Sequence, residues 1–325
     1  MPVGKLVVMG VDVGGTNTNV ALALQGKSPS ILISFHYATR DLKGLEGPVS
    51  DALQFAREHK LTVKRGCIAA AGPVVNGRVK GLNIPFVIDA VAVSKKTKVK
   101  FSLINDFEAI GRGMGVIPKK DILTIQNGRQ VKGAPQVIVG AGSGLGKSVL
   151  AYDAAVKSYV PLPSEGGHAD FAFYPEEFDM CRFFARSGRC PDENSMVSGR
   201  GIEAIYTFLR PMALGNRMVD EVDQAADKAK LISKYYRKDK LCKQTMDMFA
   251  KFYARVLKNF CLEILPYGGA FIAGGIAAKN RHLFGREFLA EFLNADPQFA
   301  SILKLIPVHV IVNYDVSLYG AVVCA

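Results

Sequence analysis

Tryptophan is missing altogether, and none of the six cysteines (Cys67, Cys181, Cys190, Cys242, Cys261 and Cys324) lies close enough to another to suggest a metal knuckle or a disulfide framework. They read as reduced thiols, mostly packing. No run reaches the ~18 uninterrupted apolar residues of a membrane helix, and the longest uncharged stretch, 264–278, is broken by Pro266 and by glycines. The apolar residues before Asp12 are too few for the core of a signal peptide. No prenylation box or peroxisomal tripeptide closes the chain. A cytoplasmic protein with no membrane partner is expected. Acidic residues are outnumbered, 29 against 41 basic, which leaves a formal charge of +12. The lysines and arginines are nevertheless spread out. Their densest region, 228–243, follows Asp220, Glu221, Asp223 and Asp227 and reads as solvated helical faces, so no nucleic-acid partner is expected.

What the chain does have is apolar content and glycine. At 325 residues and 49% hydrophobic it can bury the core of a two-domain α/β protein. Its glycines fall at informative places. Two β-rich runs within 6–24 meet at Gly14 and Gly15, flanked by Asp12, Thr16 and Asn17. Such a turn lets backbone N–H groups approach an oxyanion with no Cβ in the way, and Asp12 could hold Mg²⁺ through water. The alternative is an ordinary hairpin with glycine at its bend. A second hairpin of the same design lies at 137–151, with Gly142, Ser143 and Gly144 at its turn. A Walker A loop would need glycine at Ala141 and a helix after Ser148. The dinucleotide pattern would need glycine at Leu145 or Lys147, so neither applies. A third pair, Gly274–Gly275, follows an apolar strand and suits either a nucleoside shelf or tight packing.

Strands and helices alternate through the first third, as in a sheet with helical cover. The middle carries amphipathic helices, one behind Ser198 as N-cap and one over about 249–264. A strand at 308–312 precedes a short helix whose apolar residues could fold back onto the first domain. The expected division is a small α/β domain of 1–113 plus 305–325 and a larger one of 114–304, with a cleft between two similar lobes.

Three segments carry polar groups fit for chemistry. Asn105-Asp106-Phe107 ends an apolar strand, which places Asp106 as a base or as a helix cap. Glu165-Gly-Gly-His168 sets a carboxylate and an imidazole around two glycines, groups that can satisfy the vicinal hydroxyls of a hexose. Asn83, before a Pro turn, adds an amide that is either a third hydroxyl contact or a loop group.

These segments, with Gly66-Cys-Ile-Ala69, Ser198-Gly-Arg-Gly201 and Ala273-Gly-Gly-Ile276, resemble in order the bacterial-type glucokinases of the superfamily that also holds heat-shock chaperone ATPases and actin. The resemblance implies a two-lobed, ribonuclease H-like (actin-like ATPase) α/β fold. It implies that Asp106 deprotonates the sugar 6-hydroxyl while Asn83, Asn105, Glu165 and His168 hold the ring. The two hairpins and Gly274–Gly275 would bind ATP with Mg²⁺, in a homodimer acting on glucose. One departure stands out. The family carries a sugar-binding glutamate four residues before the serine of Ser198-Gly-Arg-Gly, and this chain has Asn194 there with Glu193 one place earlier. Either residue could supply that contact, which leaves a kinase for mannose or an amino sugar open beside glucose. A catalytically silent, sugar-responsive regulator is the reading from another class.

Overall fold

The computed structural model describes residues 6–26, 28–81, 84–162, 164–185, 191–212 and 217–325. They form two compact units, one of Met1–Asp121, Leu150–Pro163 and Asn313–Ala325, the other of Ile122–Val149 and Ser164–Val312.

The first unit is built on a five-stranded sheet. Its strands are β1 (Val7–Val13), β2 (Asn17–Leu24), β3 (Ser30–Ala38), β4 (Val63–Ala70) and, beyond a small hairpin of β5 (Arg78–Val79) and β6 (Ile88–Asp89), β7 (Lys100–Asn105). The spatial order is β3-β2-β1-β4-β7. β1 pairs antiparallel with β2 and parallel with β4, and β4 runs parallel to β7. Central β1 reads Val-Val-Met-Gly-Val-Asp-Val, near-continuously apolar because both of its faces are covered. One face packs Met9, Val11, Ile68 and Leu22 against the helix Glu46–Glu58. The other carries the helices Asp106–Met114 and Val316–Val323. The last of these presses so close that a Cβ at Gly320 would collide with the Ala109 carbonyl oxygen, and only glycine permits that approach.

A second sheet repeats the plan, its strands belonging to the second unit apart from residues 150–162, which count with the first. β8 (Ile122–Gln126) lies at an edge, followed in sequence by β9 (Gln136–Ala141), β10 (Leu145–Asp153), β11 (Ser158–Leu162), β12 (Gly269–Ala273) and β13 (Val308–Ile311). The order β11-β10-β9-β12-β13-β8 places β12 parallel to both β9 and β13, with β8 antiparallel outside. Leaving β8 aside, the third, second, first, fourth and fifth strands stand side by side in both sheets. That duplicated order is the ribonuclease H-like, actin-like ATPase fold.

The 25-residue helix Lys240–Ile264 carries the core of this unit. Tyr253, fully buried on it, donates its hydroxyl to the Val139 carbonyl at 2.9 Å and to that of Ala273 at 3.3 Å. It thereby ties the ends of β9 and β12 just before their glycine turns. Two residues further on, buried Arg255 stacks on Tyr174 at 3.5 Å and pairs through its guanidinium with both oxygens of Glu177 and with Glu291. A buried cation needs such complete pairing. Among the described residues no helix is long and apolar enough to cross a membrane.

Candidate active site

In the first unit the predicted phosphate turn is a tight hairpin. Gly14 N–H donates to the Asn17 carbonyl at 2.9 Å, and Gly14 and Gly15 are half-buried while Thr16 and Asn17 face solvent. The turn is clamped by Thr39, the residue that follows β3, which sequence reasoning missed. Thr39 donates its N–H to the Thr16 carbonyl and its hydroxyl to the Gly14 carbonyl at 2.8 Å, which leaves its oxygen to accept from Thr18 at 2.9 Å. Thr39 is fully buried and lies 21 residues beyond Thr18, a separation that no local signal spans.

Asp12, at the end of β1, accepts from the Ser317 hydroxyl at 2.8 Å. Burial raises its pKa to about 6, opposed by hydrogen bonds from Ser317 and Asn19 and reinforced by the charge of Asp315. Beside it a cavity of about 550 Å³ is lined by Asn17, Asn19, His36, Tyr37, Tyr314 and Asp315. Among the described residues no three His, Cys, Asp or Glu side chains gather into a metal cage. That donor set suits a magnesium ion held chiefly by phosphate oxygens and water, with the hard oxygens of Asp12 behind it.

Where β7 ends, Asn105 is the N-cap of the helix Asp106–Met114. Its Oδ1 accepts from Phe107 N–H at 2.8 Å and its Nδ2 donates to the Gly72 carbonyl at 3.1 Å. One lone pair and one proton of that amide stay available to a ligand. Asp106 is therefore the first helical residue and not the cap, although its Oδ1 also meets the Phe107 N–H at 3.0 Å. It is half-buried at the positive end of the helix. Asn83 lies outside the described residues.

In the second unit the other phosphate turn closes with Gly142 N–H on the Gly144 carbonyl at 2.8 Å, leaving Ser143 exposed. Three neighbours converge on it. Gly199, opening the helix Gly199–Leu209 that Ser198 caps, donates to the Gly142 carbonyl at 2.9 Å. Asn194 Oδ1 accepts from Leu145 N–H at 2.8 Å. Gly274, at φ +90°, sits where a Cβ would strike the backbone of Ala141, and Gly275 then opens the helix Gly275–Lys279. This strand, glycine pair and helix stand as the sequence predicted.

Glu165 and His168 lie on the solvent side of a single 3₁₀ turn, Gly166–His168, with His168 N–H on the Glu165 carbonyl at 3.0 Å. Of the two candidates for the family's glutamate, Glu193 is buried and ion-paired with Lys147 at 2.6 Å. Asn194 is turned to the phosphate hairpin. Burial pushes the Glu193 carboxyl pKa up, although the Lys147 ammonium pulls the other way. Asp192, which sequence reasoning passed over, accepts from His168 Nδ1 at 2.8 Å.

Duplicated sheets, each opening into a glycine-turned hairpin, define the fold of the sugar kinase and actin superfamily. Comparison with known proteins narrows this. The family model described as Glucokinase matches residues 9–325. A curated glucokinase of Trichormus variabilis is 34% identical over 338 residues, covering 97% of each chain. The chain belongs to the glucokinase family. Among solved structures, it superimposes on a Balamuthia mandrillaris glucokinase in complex with glucose at a TM-score of 0.78 and 20% identity, covering 98% of this chain and 93% of that one. A ROK family glucokinase from Streptomyces griseus in complex with glucose and AMPPNP gives 0.68 and 18%, covering 98% and 99%. At those identities the likeness is one of fold.

Proposed function

We propose that this protein transfers the γ-phosphoryl group of ATP to the 6-hydroxyl of glucose, giving glucose 6-phosphate and ADP. The observation that carries the reading is the pair of structurally equivalent glycine hairpins in a chain of the glucokinase family, with Asp106 held at the end of a neighbouring strand. Backbone donors at Gly15, Thr16 and Asn17, and at Ser143 and Gly144, would face phosphate oxygens, with Gly14 and Gly142 closing the two turns. Gly274 and Gly275 would lie against the nucleoside. Phosphoryl transfer runs through a loose, charge-rich transition state, so alignment and charge neutralisation supply most of the catalysis. Asp12 would hold, through water, a Mg²⁺ ion brought with the nucleotide, and that ion would supply part of the neutralisation.

Asp106 would accept the proton of the attacking hydroxyl. Asn105 would offer its remaining amide proton and lone pair to the ring, with Asn83, Glu165 and His168 satisfying further hydroxyls. Glucose, bound in the Balamuthia mandrillaris and Streptomyces griseus structures, and ATP, whose place the AMPPNP of the latter takes, are the substrates this arrangement suits. A cytoplasmic homodimer belongs to the same reading, checked by sedimentation and fractionation.

Because Asn194 and Glu193 are both engaged by the protein itself, a mannose or amino-sugar kinase is the second reading. Measuring ADP release by the purified protein with Mg·ATP across a panel of hexoses decides. Turnover greatest with glucose is expected. Turnover greatest with another hexose would transfer the assignment, and none at all would leave a sugar-responsive regulator.

A further inference from the structure

The two carboxylate oxygens of Asp192 have separate tasks. Oδ1 accepts the N–H of Ser195 at 2.7 Å and also the Ser195 hydroxyl, capping the short helix Glu193–Met196. Oδ2 faces His168 Nδ1 at 2.8 Å. Burial pushes the Asp192 carboxyl pKa up, but the bonds from Ser195 and His168 outweigh it and hold the group below its ordinary range. It is therefore an ionised acceptor with no proton to give. Nδ1 must carry the hydrogen in that bond, and a neutral imidazole has only one.

We propose that Asp192 is a positioning residue that locks His168 in the Nδ1–H tautomer, so that Nε2 is presented as a hydrogen-bond acceptor and the sugar hydroxyl it meets must act as donor. The consequence is a rule of specificity. A hydroxyl accepts and donates, fluorine can only accept, and hydrogen does neither, so at this position fluorine is worth no more than hydrogen. The Asp192→Asn variant inverts the rule. Ser195 N–H can only donate, which keeps the amide oxygen at the Oδ1 place and turns the amide nitrogen toward His168. Nδ1 then becomes the acceptor and Nε2–H the donor.

The specificity rule rests on the reading that His168 contacts the sugar; the tautomer does not, and the test separates them. The full chain, ¹⁵N-labelled at histidine, is studied by long-range ¹H–¹⁵N correlation at about pH 8.5, above the usual imidazole range, with His168 assigned by its loss in His168→Gln. The Nδ1–H pattern is expected in the wild type and Nε2–H in Asp192→Asn. An Nε2–H or doubly protonated ring in the wild type overturns the proposal, and that measurement needs no variant at position 192 to fold.

Deoxy and fluoro glucose analogues are then compared at the hydroxyl whose deoxy penalty in KM disappears in His168→Ala. Equal penalties for the two analogues are expected in the wild type, and a fluoro analogue recovering about three- to tenfold in Asp192→Asn. A fluoro advantage already present in the wild type overturns the rule. If no hydroxyl's penalty depends on His168, the sugar contact itself is refuted, whatever the spectra give.

Discussion

At the scale of single residues, Asp106 and Asp12 are two carboxylates that their surroundings separate. Asp106 begins a helix whose cap is its neighbour Asn105, so its side chain can be removed without uncapping that helix. Asp106→Ala is expected to lower kcat by ~10² or more, the usual scale for a general base, while glucose affinity measured by calorimetry changes only a few-fold. Near-normal turnover would remove Asp106 from the mechanism. Asp12 makes a prediction about pH. In the metal-free protein its carboxyl is raised from 3.8 to about 6, chiefly by burial. Below roughly pH 4 the group is protonated folded or unfolded and has no effect. Between there and about 6 the folded state binds the extra proton, so stability falls as the pH climbs, and above that window the full penalty remains. Asp12→Asn is therefore expected to be more stable than the parent at about pH 7.5, by on the order of 1–3 kcal/mol, with no advantage near pH 4. Urea melts at the two pH values check this, and a stabilisation of equal size at both would disprove the assigned cause.

Hairpins and helices show how the site is held. The first glycine hairpin keeps its shape through Thr39, so the near-isosteric Thr39→Val deletes the hydroxyl bonds to Gly14 and Thr18 and little else. Steady-state kinetics are expected to show KM for ATP raised about three- to tenfold, with KM for glucose nearly unchanged. An equal rise in both constants would point to general unfolding instead. The C-terminal helix Val316–Val323 carries Ser317, the partner of Asp12, and lies against the Ala109 backbone through Gly320. A methyl group there meets main chain that cannot rotate away. Gly320→Ala is expected to cost about 3 kcal/mol in thermal or urea unfolding, whereas the solvent-exposed Val323→Ala stays within about 0.5 kcal/mol. Parity between the two variants would show that the helix does not pack as described.

For the whole molecule, the same strand order occurs in both sheets, so one supersecondary plan, used twice, gives both glycine turns. A protein that binds its substrates only when folded is stabilised by mass action. Glucose at roughly a hundred times its Kd is expected to add about 2.7 kcal/mol, seen as a rise of a few degrees in Tm. A Tm that moves with Mg·ATP but never with any hexose would contradict the proposed substrate.

Much of this could be read along the chain because it is local. Alternating β-branched residues around glycine mark both hairpins, Ser198 caps its helix as its residue type suggests, and the Gly274–Gly275 turn follows its apolar strand. The helix expected over 249–264 begins earlier, at Lys240 behind the Asp239 cap. Its first turns mix lysines with buried Leu241, Cys242 and Met246, a pattern easily taken for a solvated face.

The glycines, the two hairpins, the glucokinase-like segments and the candidate base are properties of the sequence itself, since each depends on residues a few places apart. Which groups hold them in place was decided only by tertiary structure. Thr39 on the first hairpin, Ser317 on Asp12, Asp192 on His168 and Lys147 on Glu193 meet across 21 to 305 residues of chain. Their contacts depend on how strands and helices stack, which no short-range pattern encodes.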